Sequence, residues 1–145
     1  LPLTQRKSLA RRLREINRVL SIEARRRSSP SRLFELDDQF HRTYVENVVG
    51  PRLLALHHAI KPQTERYARL YVNVLLEELP TSVKEHGVIA SAIADGDPAA
   101  AQTAAETNWR NAADRLATLI TEHGERGIWH LWKPEIAAGG SRGAR

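Results

Sequence analysis

The sequence predicts an all-α fold, an antiparallel bundle of about five to six helices, and three observations carry that expectation. Apolar residues recur at three- and four-residue spacing along nearly the whole chain. Helix-opening and helix-closing signals punctuate it at Ser29-Pro30, Gly50-Pro51, Pro80, Gly96-Asp97-Pro98 and Gly124. No segment of useful length alternates apolar and polar residues as a half-buried strand would.

In chain order, Leu9, Leu13, Ile16 and Leu20 place one apolar stripe on a first helix from about Thr4 to Arg27, the rest of whose surface is basic. Ser28-Ser-Pro-Ser31 breaks it and starts the next, with Ser29 as N-cap and Pro30 in the first helical position, where a missing N–H costs nothing. The second helix turns Leu33, Leu36, Phe40, Tyr44 and Val48 inward and ends near Gly50. Pro51 opens a long third helix with Leu53, Leu56, Ile60, Tyr67, Tyr71 and Val74 on one side, and Pro62 should kink it by removing a backbone bond. Pro80 is expected to stop that helix, and Ser82-Val-Lys-Glu85 has the spacing of a capping box for a fourth. Gly96 closes the fourth, and Asp97-Pro98 opens an alanine-rich fifth that reaches about His123. This gives a bundle over residues 1–123 and a tail over 124–145. The tail carries Trp129 and Trp132, read as packing on the bundle or, as the alternative, on a partner chain, before a Gly-rich end whose composition favours disorder.

A chain of 145 residues, 41% hydrophobic, can bury a single core and asks for no second domain. It contains no cysteine, so disulfides and thiolate metal sites are excluded, and any metal must rest on His, Asp and neutral oxygens. No apolar run approaches the ~20 residues that span a bilayer, and the start lacks the apolar core of a signal peptide. The expected location is cytoplasmic. There is no methionine, even at position 1, which reads as a piece of something longer. The net charge of +5 is uneven: nine Lys and Arg residues against Glu15 and Glu23 give +7 between Gln5 and Arg27, leaving −2 on the remainder. Such a helix can attract phosphates or an acidic surface, although it lacks base-reading groups, and a solvated face is the simpler reading.

Chemistry concentrates at four residues. Asp37 and His41 lie four apart, so on a helix they stack on one face and can grip one ion or ligand. His86 sits between Val83 and Ile89-Ala90, on a face that turns toward the core, and Asn108 lies over Ala101, Ala104 and Ala105. Any one of these alone is adequately read as a satisfied core polar group. Together on three core faces they are costly unless they pair or bind something, and they favour a ligand or metal site. Asp37-Asp38 is no catalytic dyad, because adjacent helical side chains diverge by about 100°; Glu85 beside His86 fails equally. Of His57 and His58 only one can face inward. His123 and His130 fit a helix end and the tail.

The pattern Asp37-x-x-Phe40-His41, then Glu85-His86-x-x-Ile89-x-x-Ala92-Ile93-x-x-Gly96-Asp97-x-x-Ala100-Ala101, then Asn108, resembles the FCD effector domain of GntR-type transcriptional regulators, from about Leu3 to Leu119. The resemblance implies a helical bundle with a central cavity. It implies that Asp37, His41, His86 and Asn108 hold a divalent metal (zinc, nickel or manganese), with a small organic acid bound at or beside it. Metal-binding members usually have His where this chain has Asn108, which should leave a weaker, more oxygen-weighted site. The winged helix-turn-helix domain that the family places upstream is not visible, so DNA reading is expected only through that missing domain.

The function expected on this basis is a ligand-sensing, dimerising domain of a bacterial transcription regulator, not an enzyme. Arg66, Tyr67, Arg69 and Tyr71 on the third helix are candidates to meet the effector's anionic groups. The alternatives are a metal-dependent hydrolase on the same Asp/His set, for which no spare inward carboxylate is apparent, and a helical interaction module with an empty polar cavity.

Overall fold

The computed structural model describes residues 1–124, and every regular element among them is helical. The expected tail, with Trp129 and Trp132, lies outside the described residues. The elements are α1 (Leu3–Arg25), α2 (Pro30–Val48), α3 (Pro51–Leu70), a single turn α4 (Val72–Leu75), a 3-10 turn (Leu76–Glu78), α5 (Leu79–Asp95) and α6 (Pro98–His123). No helix of the described residues is long and apolar enough to cross a membrane.

Local chemistry accounts for most boundaries. The backbone N–H groups of Arg27 and Ser28 return to Ala24 and Glu23 at the end of α1, which stops at Arg25. Arg27 takes the left-handed conformation there, with φ of 54°. Gly96 makes the same kind of turn after α5, with φ of 72° and the bonds Gly96 N–H to Ile93 and Asp97 N–H to Ala92. Ser29 accepts a bond from the Arg32 amide and Asp97 one from the Ala100 amide, so two of the three expected N-caps are in place, each followed by proline.

The α1 stripe Leu9, Leu13 and Ile16 packs with Phe40, Tyr44 and Val45 of α2 and Ile89 and Ala90 of α5 in one apolar cluster. Leu20, Leu33, Leu36 and Leu79 form a second toward the other end of α1. Asn17 lies on α1 between these clusters. Helix α6 adds its alanine face, burying only Asn108 and Leu119.

Two expectations about the middle of the chain need correction. Pro80 does not stop a helix: it sits in the first turn of α5, where it has no helical bond to lose, and Ser82 lies inside that helix instead of capping it. The break falls earlier, at Tyr71 and the 3-10 turn, whereas Pro62 stays inside α3. The face of α3 expected to turn inward is also largely outside. Leu53, Leu56 and Ile60 are 62%, 54% and 50% exposed, and of the six residues named only Tyr71 is buried. Helical spacing showed a stripe but not what covers it. Val48 of α2, at 50% exposure, is outside as well, because Val45 and Val49 take the positions that pack on the core there.

Candidate metal and effector site

Asp37 and His41 lie one turn apart on α2, and α5 brings His86 across to them. The three offer ligand atoms within 4.8 Å of one another. Nε2 of His41 is 3.7 Å from one Asp37 oxygen, Nε2 of His86 is 3.6 Å from the other, and the two Nε2 atoms are 3.2 Å apart. His86 is fully buried and stacks flat on Phe40, ring centroids 3.9 Å apart and planes 9° from parallel. Its Nδ1 lies 3.2 Å from Asn17 Oδ1. His41 is held from outside: its Nδ1 meets the Tyr44 hydroxyl at 3.2 Å, that oxygen accepts from Trp109 Nε1 at 2.7 Å, and the Trp109 ring stands 4.8 Å from the His41 ring.

Burial sets the protonation states. It pushes His86 down to about 2, with help from the neighbouring His41, and it lowers His41 against the opposing pull of Asp37. Both rings are neutral near pH 7, which is the form that binds metals. Burial raises Asp37 above the usual carboxylate range, as expected for an anion that lacks a full counter-charge. Two neutral imidazoles and a carboxylate converging on one point fit a divalent first-row ion and leave coordination positions open.

Asn108 is buried as expected and comes from α6. Its Nδ2 donates to Glu85 Oε2 at 2.8 Å, and Asn111 Nδ2 donates to Glu85 Oε1 at 2.7 Å. Glu85 thus orients both amides, leaving Oδ1 as the Asn108 atom that can face a cation.

Asp37 and His41 open onto a cavity of about 280 Å³, walled by Leu33, Leu75, Leu79 and Leu116 and by polar groups of α3 and α6. From α3 come His57, whose buried Nδ1 has no hydrogen-bond partner among the described residues, and Lys61, which is spent on Asp38 and, at 3.2 Å, on Glu65. From α6 comes Arg115, which has no ion pair among the described residues and whose positive charge favours ionised Asp37. Of the two adjacent histidines, His57 is the one that faces this cavity.

The four residues expected to meet an effector are placed elsewhere. Arg66 lies over the Tyr67 ring at 5.7 Å and Arg69 over Phe34 at 4.5 Å, while Tyr71 is buried with its hydroxyl donated to the Gly124 carbonyl. None of them lines the cavity, because on α3 the inward positions are 57, 61, 64, 65 and 68, and the side chains of 66, 67 and 69 are rotated off that face. The sequence reading did not single out Arg115 or Asn17, and it left open which of His57 and His58 faces inward. The signal for Arg115 was present: it follows Asn108 by seven residues, two turns along the same face of α6. Asn17 had no such signal, since it sits alone on the apolar side of α1.

The family model for the FCD domain matches residues 4–125 of this chain. No curated protein and no solved structure matches it significantly.

Proposed function

The chain belongs to the FCD family, the effector-binding regulatory domains of GntR-type regulators, and on that premise we propose that it senses a small organic acid at a divalent metal. Asp37, His41 and His86 would hold the metal, zinc, nickel or manganese, with Asn108 Oδ1 as a weak fourth ligand. When bound, the ion supplies a positive centre with open positions for a carboxylate. The observation that carries this reading is the convergence of those three side chains, two of which, Asp37 and His41, open onto a cavity that also presents Arg115, an arginine with no ion pair among the described residues.

In this reading Arg115 grips the effector's second anionic group in a charge-assisted pair, and His57 Nδ1 meets a polar atom between the two ends. The apolar wall of leucines excludes water from the carbon skeleton. The effector would bridge α2 and α5 to α3 and α6, favouring one helix arrangement over another. Sensing is supported over hydrolysis by the state of the nearby carboxylates: Glu85 is committed to two amides, and Asp38 and Glu65 to Lys61. None of them is free to act as a general base. A homodimer is supported by the exposed stripe of Leu53, Leu56 and Ile60 on α3, apolar surface that a second copy would cover.

The test is elemental analysis of unchelated protein, followed by thermal melts with a panel of di- and tricarboxylates. One ion per chain, lost in His86→Ala, is expected. Binding at a hundredfold excess over Kd should add about 2.7 kcal/mol of stability, and less after chelation. Protein that takes up no zinc, nickel or manganese and whose melting temperature ignores every acid would overturn the reading.

A further inference from the structure

We propose that Asn17 of α1 is a positioning residue that sets the proton on His86, so that Nε2 of this imidazole always faces Asp37 and His41 as a bare lone pair. Its relevance to a cation rests on the metal reading above; the effect on the ring does not. Asn17 Nδ2 donates to the Val83 carbonyl at 2.8 Å, so the atom it turns to His86 Nδ1, at 3.2 Å, is Oδ1. The reverse amide orientation would set two oxygens against each other at Val83. An amide oxygen only accepts, and Nδ1 must therefore carry the hydrogen. The ring cannot turn away, being fully buried and stacked on Phe40.

The consequence runs along a chain of groups. Because His86 Nε2 can only accept, the 3.2 Å contact with His41 Nε2 needs its hydrogen from His41. His41 Nδ1 then accepts from the Tyr44 hydroxyl, whose oxygen takes the Trp109 N–H. Donation runs one way from Trp109 through Tyr44, His41, His86 and Asn17 to the Val83 carbonyl. The two imidazoles therefore differ: His86 is ready to ligate, whereas His41 must move its hydrogen from Nε2 to Nδ1, toward Tyr44, before it can. Asn17 also makes α1 part of the site, linking the first helix of the domain to its α5 ligand.

The experiment measures imidazole 15N shifts in metal-free protein and, separately, metal affinity by competition with a chelator. In the unsubstituted chain His86 should be the pure Nδ1–H tautomer. Asn17→Leu removes the acceptor and excludes water, and should give a mixture with the Nε2–H form together with roughly 10- to 100-fold weaker metal binding. Asn17→Asp separates positioning from mere structure: it keeps an accepting oxygen for Nδ1–H but has no N–H for Val83. Its His86 should remain Nδ1–H even if the protein is less stable. An Nε2–H tautomer in the unsubstituted chain, or a pure Nδ1–H tautomer in folded Asn17→Leu, would overturn the proposal. Should Asn17→Leu fail to fold, a loss of the Nδ1–H tautomer in Asn17→Asp would overturn it as well. Absence of metal binding with the expected tautomers would instead overturn the metal reading and leave the role of Asn17 standing.

Discussion

The two walls of the cavity are built differently. On one side, α2 and α5 are held by apolar side chains driven fully inside, Phe40 and Ile89 among them, and the imidazoles of His41 and His86 are fixed by stacking and hydrogen bonds. On the other side, α3 buries none of its residues and meets the cavity through His57, Lys61 and Thr64. The firmly packed wall presents Asp37, His41 and His86, the donors proposed for a metal, whose spacing would have little tolerance. The wall that contributes least to the core presents adaptable polar groups, which suits a part that has to respond to a ligand.

Core truncation should expose this contrast most strongly. Phe40→Ala should cost about 3–5 kcal/mol of unfolding free energy, because a ring buried against Leu13, Tyr44 and His86 leaves a cavity. Leu53→Ser on α3 should change the monomer's stability by less than about 0.5 kcal/mol. Urea titrations of both variants, at concentrations where the chain is monomeric, measure the difference; comparable losses would mean that α3 is as firmly packed as α2.

Next in size is Arg115→Ala, which removes a cavity cation that has no ion pair among the described residues. Losing a charged hydrogen bond of about 1.5–3 kcal/mol should weaken a dicarboxylate roughly 10- to 150-fold. A monocarboxylate that reaches only the metal should be nearly unaffected. Calorimetric titration with the two ligand types decides the matter, and equal losses for both would place Arg115 outside the binding site.

The protonation states make the rigid wall sensitive to acid. His86, pushed down to about 2, and His41, also lowered, bind fewer protons in the folded chain than an unfolded histidine does near 6.5. The unfolded state therefore takes up more protons as pH falls below about 6.5, and chelated protein should lose roughly 1.4 kcal/mol per pH unit for each such group. Asp37 works in the opposite sense: its raised value means that the folded state holds a proton more readily, so it offsets part of the loss at the acid end. His86→Gln should flatten the slope between about pH 6.5 and 5. A slope unchanged from the parent chain would show that His86 is not held neutral.

The smallest expected effect concerns the site's fourth position. Asn108→His offers a better donor than an amide oxygen for zinc or nickel and should tighten binding, but it also surrenders the bond to Glu85. A gain of about tenfold is expected by chelator competition. Unchanged affinity would mean that Oδ1 points away from the ion.

Much of this was legible in the linear order of residues. Ser29, Asp97 and Gly96 act within a few residues of themselves, so caps and ends could be read directly, and the spacing of Asp37 and His41 guarantees a shared face on any helix. Pro80 was ambiguous, since proline both ends a helix and opens one, and only the preceding 3-10 turn decides which.

The sequence by itself determined that the chain is helical, which residues form stripes, and that Asp37 and His41 stand together. The tertiary structure alone decided that His86 meets Asn17 across 69 positions, that Arg115 and His57 share a cavity with Asp37, and that the α3 stripe faces outward. The reason is one of range. Helical periodicity is set by backbone bonds between residues four apart, whereas the partner of a helix face is chosen by how whole side chains interlock between helices.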